Sequence, residues 1–248
     1  ENSSFNSLQT TLQKHYSKGF TTMINYTWSK SIDTTPANMG ITGVAQGSNS
    51  PVPWYMSGRR PFDSGLSEFD HRHRFVASYV YDVPKLAGSN RFVRTALGGW
   101  QLSGIFTVQS GGPLTLLAGK DQSQTGIGSD RAVYLGGAAY GSDACTGSGS
   151  CVSYLNRAAF GLPATGSWGN MGKGALHGPK LVNWDAGIFK DFPLGTERYH
   201  LQFRAEFFNA FNHANFNNPN VTQSNGGFGT ITSAQDPRIG QLALKFLF

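Results

Sequence analysis

Charge is scarce in this chain of 248 residues: Asp, Glu, Lys and Arg make up 14%, against about 25% in ordinary globular domains. Long apolar runs are missing too. None approaches the roughly 18–20 residues that a helix needs to cross a bilayer, which excludes a helical membrane protein; a spanning strand needs only about ten and is untouched by that absence. Cysteine is limited to Cys145 and Cys151, too few to staple together a fold without a core. Enzyme motifs are absent. Gly65-Leu66-Ser67-Glu68 is followed by Phe69, which breaks G-x-S-x-G, and there is no P-loop, no G-x-G-x-x-G and no H-E-x-x-H. No catalytic residue and no cofactor are expected. The net charge of +6 comes from 20 scattered basic residues with no run longer than Arg59-Arg60, so no nucleic-acid partner is expected. The opening Glu1-Asn2-Ser3-Ser4-Phe5 has no basic region followed by an apolar core; it reads as strand, the expectation for a mature or partial exported chain.

Glycine, at 32 residues, and aromatics, at 13%, are plentiful. Polarity therefore resides mostly in Ser, Thr, Asn, Gln and Gly, the balance needed by strands with one apolar and one polar face. Such strands are legible as a period of two. The clearest ends the sequence: Leu242, Leu244, Phe246 and Phe248 share one face, and Gln241, Ala243, Lys245 and Leu247 the other. Terminal residues of soluble proteins usually fray, whereas the last strand of a barrel in lipid must pair to leave no open edge.

Six more stretches alternate in the same way. Residues 6–16 place Leu8, Thr10, Leu12 and Tyr16 together, and 20–30 place Phe20, Thr22, Ile24, Tyr26 and Trp28 together. Ser17-Lys18-Gly19 joins these two as a hairpin, and Tyr26 and Trp28 suit an interfacial aromatic girdle. The others are 71–83 (Phe75, Ala77, Tyr79, Tyr81, Val83), 99–110 (Trp100, Leu102, Phe106, Val108), 182–190 (Val182, Trp184, Ala186, Ile188) and 199–208 (Tyr199, Leu201, Phe203, Ala205, Phe207). Large loops rich in Gly, Pro, Ser and Asn fall at about 31–70, 111–181 and 209–236. Short turns at one end and long loops at the other are the asymmetry of outer-membrane barrels, with the short turns in the periplasm. The fold class expected is all-β, an antiparallel transmembrane β-barrel with about seven strands and long outer loops. Single-chain bacterial barrels have even strand numbers, so residues 1–248 are expected to be the carboxy-terminal portion of one larger barrel domain.

Three segments carry a family resemblance. They are Phe69-Asp70-His71-Arg72-His73-Arg74-Phe75 with its strand ending Val83-Pro84, Gly99-Trp100-Gln101-Leu102-Ser103-Gly104 with Ser110-Gly111-Gly112-Pro113-Leu114, and Arg204-Ala205-Glu206-Phe207-Phe208-Asn209-Ala210-Phe211-Asn212-His213 to Phe216. Together they resemble the carboxy-terminal barrel of TonB-dependent outer-membrane receptors, in particular the Oar-like group of acidobacteria. The resemblance implies a 22-stranded barrel, a plug domain, and import of a bulky ligand with energy from TonB. The chain departs from that pattern in holding no plug and no TonB-contacting box. The terminal residues Leu242, Leu244, Phe246 and Phe248 resemble the insertion signal of such barrels, which implies the barrel-assembly machinery and outer-membrane lipid as partners.

Candidate sites were weighed against plainer roles. His71 and His73 share a face, as a metal pair would, but their parity matches Phe75 and Tyr79, placing them in an interfacial belt; no metal is expected. Arg72 and Arg74, with Asp70, take the opposite, lumenal parity, where they could meet an anionic ligand or pair within the wall. Arg204 and Glu206 share the polar parity and suit an ion pair better than acid–base work. Cys145 and Cys151 enclose five residues of a Gly/Ser-rich loop and are expected to form a local disulfide. The loop aromatics Trp54, Tyr55, Tyr134, Tyr140, Trp168, Phe216 and Phe228 suit either ligand contact or loop-on-loop packing. Two other readings stay open: a secreted all-β module that binds carbohydrate or packs into a surface assembly, and a complete small porin with an eighth strand inside 114–181. The outward faces of a sandwich should be polar, whereas the Trp/Tyr/Phe-rich face here needs lipid or an extensive core.

Overall fold

The computed structural model describes residues 2–34, 64–84, 97–126, 130–141, 152–194 and 199–248. Its strands, in chain order, are β1 (Ser3–Ser17), β2 (Phe20–Asp33), β3 (Gly65–Leu66), β4 (His73–Asp82), β5 (Trp100–Gln109), β6 (Pro113–Leu114), β7 (Val133–Tyr134), β8 (Val152–Ser153), β9 (Phe160–Gly161), β10 (Leu176–His177), β11 (Leu181–Pro193), β12 (His200–Phe208), β13 (Thr230–Ile231) and β14 (Ile239–Leu247). The seven long strands are the seven that the alternation predicts, with ends shifted by a few residues. They form one antiparallel sheet in the order β1-β2-β4-β5-β11-β12-β14, with β3 paired to the end of β2. The sheet does not close: among the described residues nothing pairs with the outer edges of β1 and β14.

Register explains why the alternation is coherent across the whole sheet. A slip of one residue would move every side chain of a strand to the other face. Ile24 lies opposite Leu12 and Ala77, Ala77 opposite Phe106, Phe106 opposite Trp184, and Ala205 opposite Ile188 and Leu242. One face is therefore apolar from edge to edge. Rings meet across strands on it: Phe20 and Tyr81 edge-on at 6.3 Å, Phe75 and Phe106 at 6.4 Å, Tyr199 and Phe246 stacked at 6.0 Å. Glycines on this face are covered by rings. A side chain at Gly104 would strike Tyr79, and one at Gly240 would crowd Phe207, each the register partner across the strand. The β1–β2 hairpin closes through Lys18 (φ 54°) and Gly19 (φ 77°), two residues at positive φ, the turn whose twist matches the strands it joins.

Lysines also stand on this face: Lys14, opposite Thr22 with its ammonium over the Phe20 ring, and a buried one farther across the sheet. Lys190 is opposite both Trp100 and Phe203 and is 5% exposed. Its Nζ donates to the Gly98 carbonyl at 2.8 Å and lies over the Trp100 ring at 4.8 Å. The stem thus packs among rings while the ammonium reaches the short-turn end of the sheet, as long basic side chains do at a membrane interface.

The two ends of the sheet differ. One carries the Lys18–Gly19 turn and the β11–β12 turn. The other carries a cap built from the described parts of 110–180 and from 209–238, stretches that read as loops in the sequence. Strands β6 and β10, β7 and β9, and β8 and β13 pair within it. Around them Leu114, Leu116, Leu155, Phe160 and Phe228 form a hydrophobic core. Phe228, one of the loop aromatics, is 3% exposed in that core, which is the loop-on-loop packing alternative.

Candidate functional site

The candidate site is the polar face of the sheet and the cap that stands at one end of it. Along that face the side chains pair with the residue directly across the strand boundary. Thr11 Oγ1 donates to Asn25 Oδ1 at 2.9 Å, Gln101 Nε2 to Asp82 Oδ1 at 2.8 Å, and Gln202 Nε2 to Asp191 Oδ1 at 3.0 Å; each is a register pair. Arg204 Nη2 bonds Glu206 Oε1 at 3.0 Å, two residues along β12, and the guanidinium lies 5.0 Å from the centre of the Phe189 ring opposite. Gln241 Nε2 donates to the other Glu206 oxygen. A carboxylate held by two donors and an arginine laid on a ring tie neighbouring strands together as an element of the wall.

This polar wall is interrupted. Met23, Val80 and Ile105 project from the same parity as Asn25, Ser78 and Ser103, and they are 39%, 38% and 49% exposed. With Phe189, Thr21 and Ser78 they line an open trough of about 490 Å³. Apolar side chains at these positions were legible as breaks in the polar parity, although the sequence reading passed over them.

At the cap end the charges are buried. Asp33, the last residue of β2, forms an ion pair with Lys173 of the cap, 140 positions away, and both side chains are largely hidden from solvent. Lys173 lies over Gly65 of β3 so closely that no larger residue fits there. Asp70 is 2% exposed; its Oδ1 accepts the Ser31 N–H at 2.6 Å, and Ser31 and Ser67 share a hydroxyl bond of 2.8 Å. This cluster fastens the cap to the wall. Removing one member of a buried ion pair costs more than removing both.

The residues singled out from sequence are distributed as follows. Arg74 is exposed on the polar face, opposite Thr27 and Gln109. Arg72, half-buried, offers its carbonyl to the Ser29 N–H at 3.1 Å. His73 stacks on Tyr26, with Nδ1 2.8 Å from its hydroxyl, and His71 Nδ1 lies 2.8 Å from the Ser110 carbonyl. The two imidazoles thus have separate partners. Among the described residues no three His, Cys, Asp or Glu side chains converge. Trp168 is half-buried within the cap and its carbonyl accepts the Arg131 N–H at 2.9 Å. Tyr134 and Tyr140 are partly exposed, each in ring contact with a cap aromatic, Phe160 and Tyr154. Leu242, Leu244 and Phe246 lie on the apolar face of β14, 72%, 69% and 52% exposed along the unpaired edge, and Phe248 follows at the chain's end. Trp54, Tyr55, Cys145 and Cys151 lie outside the described residues.

Two cap groups have displaced ionisation. The Gly126 N–H at 2.8 Å, aided by Thr125, holds the Asp121 carboxyl below its usual range. Burial, with Tyr140 alongside, pushes the Tyr154 phenol up to about 12.

A family model described as an outer membrane β-barrel domain matches residues 1–241. No curated protein and no solved structure is detectably similar to the chain. The match covers nearly the whole length and agrees with a sheet that is apolar outside and polar inside. The chain belongs to the outer-membrane β-barrel domain family, and its place is the bacterial outer membrane.

Proposed function

We propose that the chain forms part of the wall and the outer cap of a TonB-dependent receptor, importing a bulky ligand across the outer membrane. The observation that carries this reading is the parity of the open sheet. Seven long antiparallel strands leave β1 and β14 running in the same direction, from the cap end to the turn end. Direct closure of one on the other would need a parallel pair, so an all-antiparallel barrel needs an odd number of further strands between them. One further strand would give an eight-stranded barrel that side chains fill, whereas many more leave a lumen they cannot fill, which suits a plug domain and a bulky cargo. The three segments that resemble Oar-like receptors support the same assignment.

In this reading the cap faces outward and the short turns face the periplasm. Ligand is captured at the cap and the polar wall, where Arg72, Arg74 and Trp168 are the proposed contacts, together with Trp54 and Tyr55. The wall chemistry is recognition without catalysis, because its carboxylates are already engaged by Gln and Arg donors. Transport energy would come from TonB through a plug domain.

The test is performed on the native protein in its own outer membrane. Cross-linking followed by capture of this chain should recover TonB, and the purified protein in planar bilayers should hold no steady conductance. Absence of TonB together with a stable open channel would overturn the import reading in favour of a porin.

A further inference from the structure

The cap loop that follows β6 carries oxygen ligands in a spacing the import reading does not use. Asp121, Ser123 and Thr125 are followed by Gly126 at φ 78°, the first, third, fifth and sixth places of a calcium-binding loop. In such loops the glycine permits the sharp turn that folds the odd-numbered side chains inward. The turn is formed here: Asp121 accepts the N–H of Thr125 at 3.1 Å and of Gly126 at 2.8 Å. Ser123 Oγ lies 3.2 Å from Asp121 Oδ1 and 3.0 Å from Thr125 Oγ1, so three side-chain oxygens already touch in series.

A second observation is independent of that turn. Asp130 is fully buried, and its Oδ2 accepts the Ser123 N–H at 2.7 Å. Its Oδ1 is buried as well and has no hydrogen-bond partner. An unsatisfied carboxylate oxygen in the interior is costly unless something compensates it. The bond from the Ser123 N–H to its sister oxygen holds that carboxylate against the backbone of the Asp121 turn.

We propose that Asp121, Ser123, Thr125 and the buried Asp130 carboxylate bind a hard divalent cation, calcium by preference. The ligands are all oxygen, which disfavours zinc and copper. Two carboxylates with neutral hydroxyls suit the larger, geometrically tolerant calcium ion better than magnesium, which demands a strict octahedron. With only two charged ligands the site belongs with the weak loops of extracellular modules, whose Kd is about 10⁻⁴–10⁻³ M. The ion would complete the valence of Asp130 and pin the loop to the cap core beside it.

The experiment uses the native protein in detergent, stripped with chelator and desalted. Calcium is titrated calorimetrically, and terbium luminescence sensitised by tryptophan is displaced by calcium; Trp168 lies close, its carbonyl bonded to the residue after Asp130. The expected result is one site with a Kd of about 10⁻⁴–10⁻³ M, weakened at least about tenfold in Asp121→Asn and in Asp130→Asn as ligand charge is lost. The control Asp236→Asn, an exposed carboxylate elsewhere in the cap, should bind as wild type. Should Asp130→Asn fail to fold, Ser123→Ala and Thr125→Ala carry the same test with the buried carboxylate intact. No binding up to 10-fold above that Kd range, or equal binding in every variant, would falsify the proposal.

Discussion

The wall and the cap bury their apolar residues by opposite means. In the wall, Leu12 is 64% exposed and Leu244 69% on the edge strands, and farther in Ile24, Ala77 and Phe106 are still only partly buried. In the cap, Leu116 and Leu155 are 0% and 1% exposed, and in the same core Phe160 and Phe228 meet edge-on at 5.7 Å. The wall takes its apolar surroundings from the bilayer and its backbone satisfaction from the ladder. The cap stands in water, so it must exclude water by itself. A chain with 14% charge serves both, because neither region needs much.

The largest expected effect that separates the two is in the cap. Phe160→Ala should cost about 3–5 kcal/mol through the cavity it leaves. Limited proteolysis should then cut within 111–181 while the wall keeps its resistance to SDS at room temperature. Joint loss of both would show that wall and cap fold as one unit joined through the Asp33–Lys173 pair; separate loss would show two. A smaller effect probes the wall's two media. Ile24→Arg, on the apolar face midway along β2, should cost about 2–4 kcal/mol in lipid vesicles. The adjacent Asn25→Arg, on the polar face, should cost about 1 kcal/mol, the worth of its bond to Thr11. Urea titration of vesicle-folded protein measures both, and equal costs would mean that the two faces see the same solvent.

The smallest effect is a titration confined to the cap. The Tyr154 phenol is pushed up to about 12 because it is half-buried and Tyr140 lies beside it. Burial favours the neutral phenol, so this contribution to cap stability is complete below pH 10 and disappears as pH rises through 12. Alkaline difference spectra of wild type against Tyr154→Phe should show one tyrosine ionising late, accompanied by cap opening. A Tyr154 that ionises near 10 with the cap intact would remove the burial argument.

How much of this was readable in advance follows from periodicity. The seven strands, the shared face of Leu12, Ile24, Ala77, Phe106 and Leu242, and the hairpin at Lys18–Gly19 were all legible, because a strand between lipid and lumen repeats every two residues. The Arg204–Glu206 pair was legible for the same reason, since side chains two apart meet on one face. The cap was not. Its core joins Leu114, Leu155 and Phe228 through turns without a repeat, so nothing in the local pattern marks them as inside. Asp33 and Lys173 stand 140 residues apart, and no short-range signal links such positions.

The sequence by itself determined the composition, the alternation and hence the two faces of the wall, since face membership depends only on parity along each strand. Register, the burial of Asp70, Asp130 and Lys173, and the conversion of two glycine-rich loops into one packed cap were decided by the tertiary structure. Those features depend on contacts between distant segments, whose free energy appears only once the strands have brought the loops to the same end of the sheet.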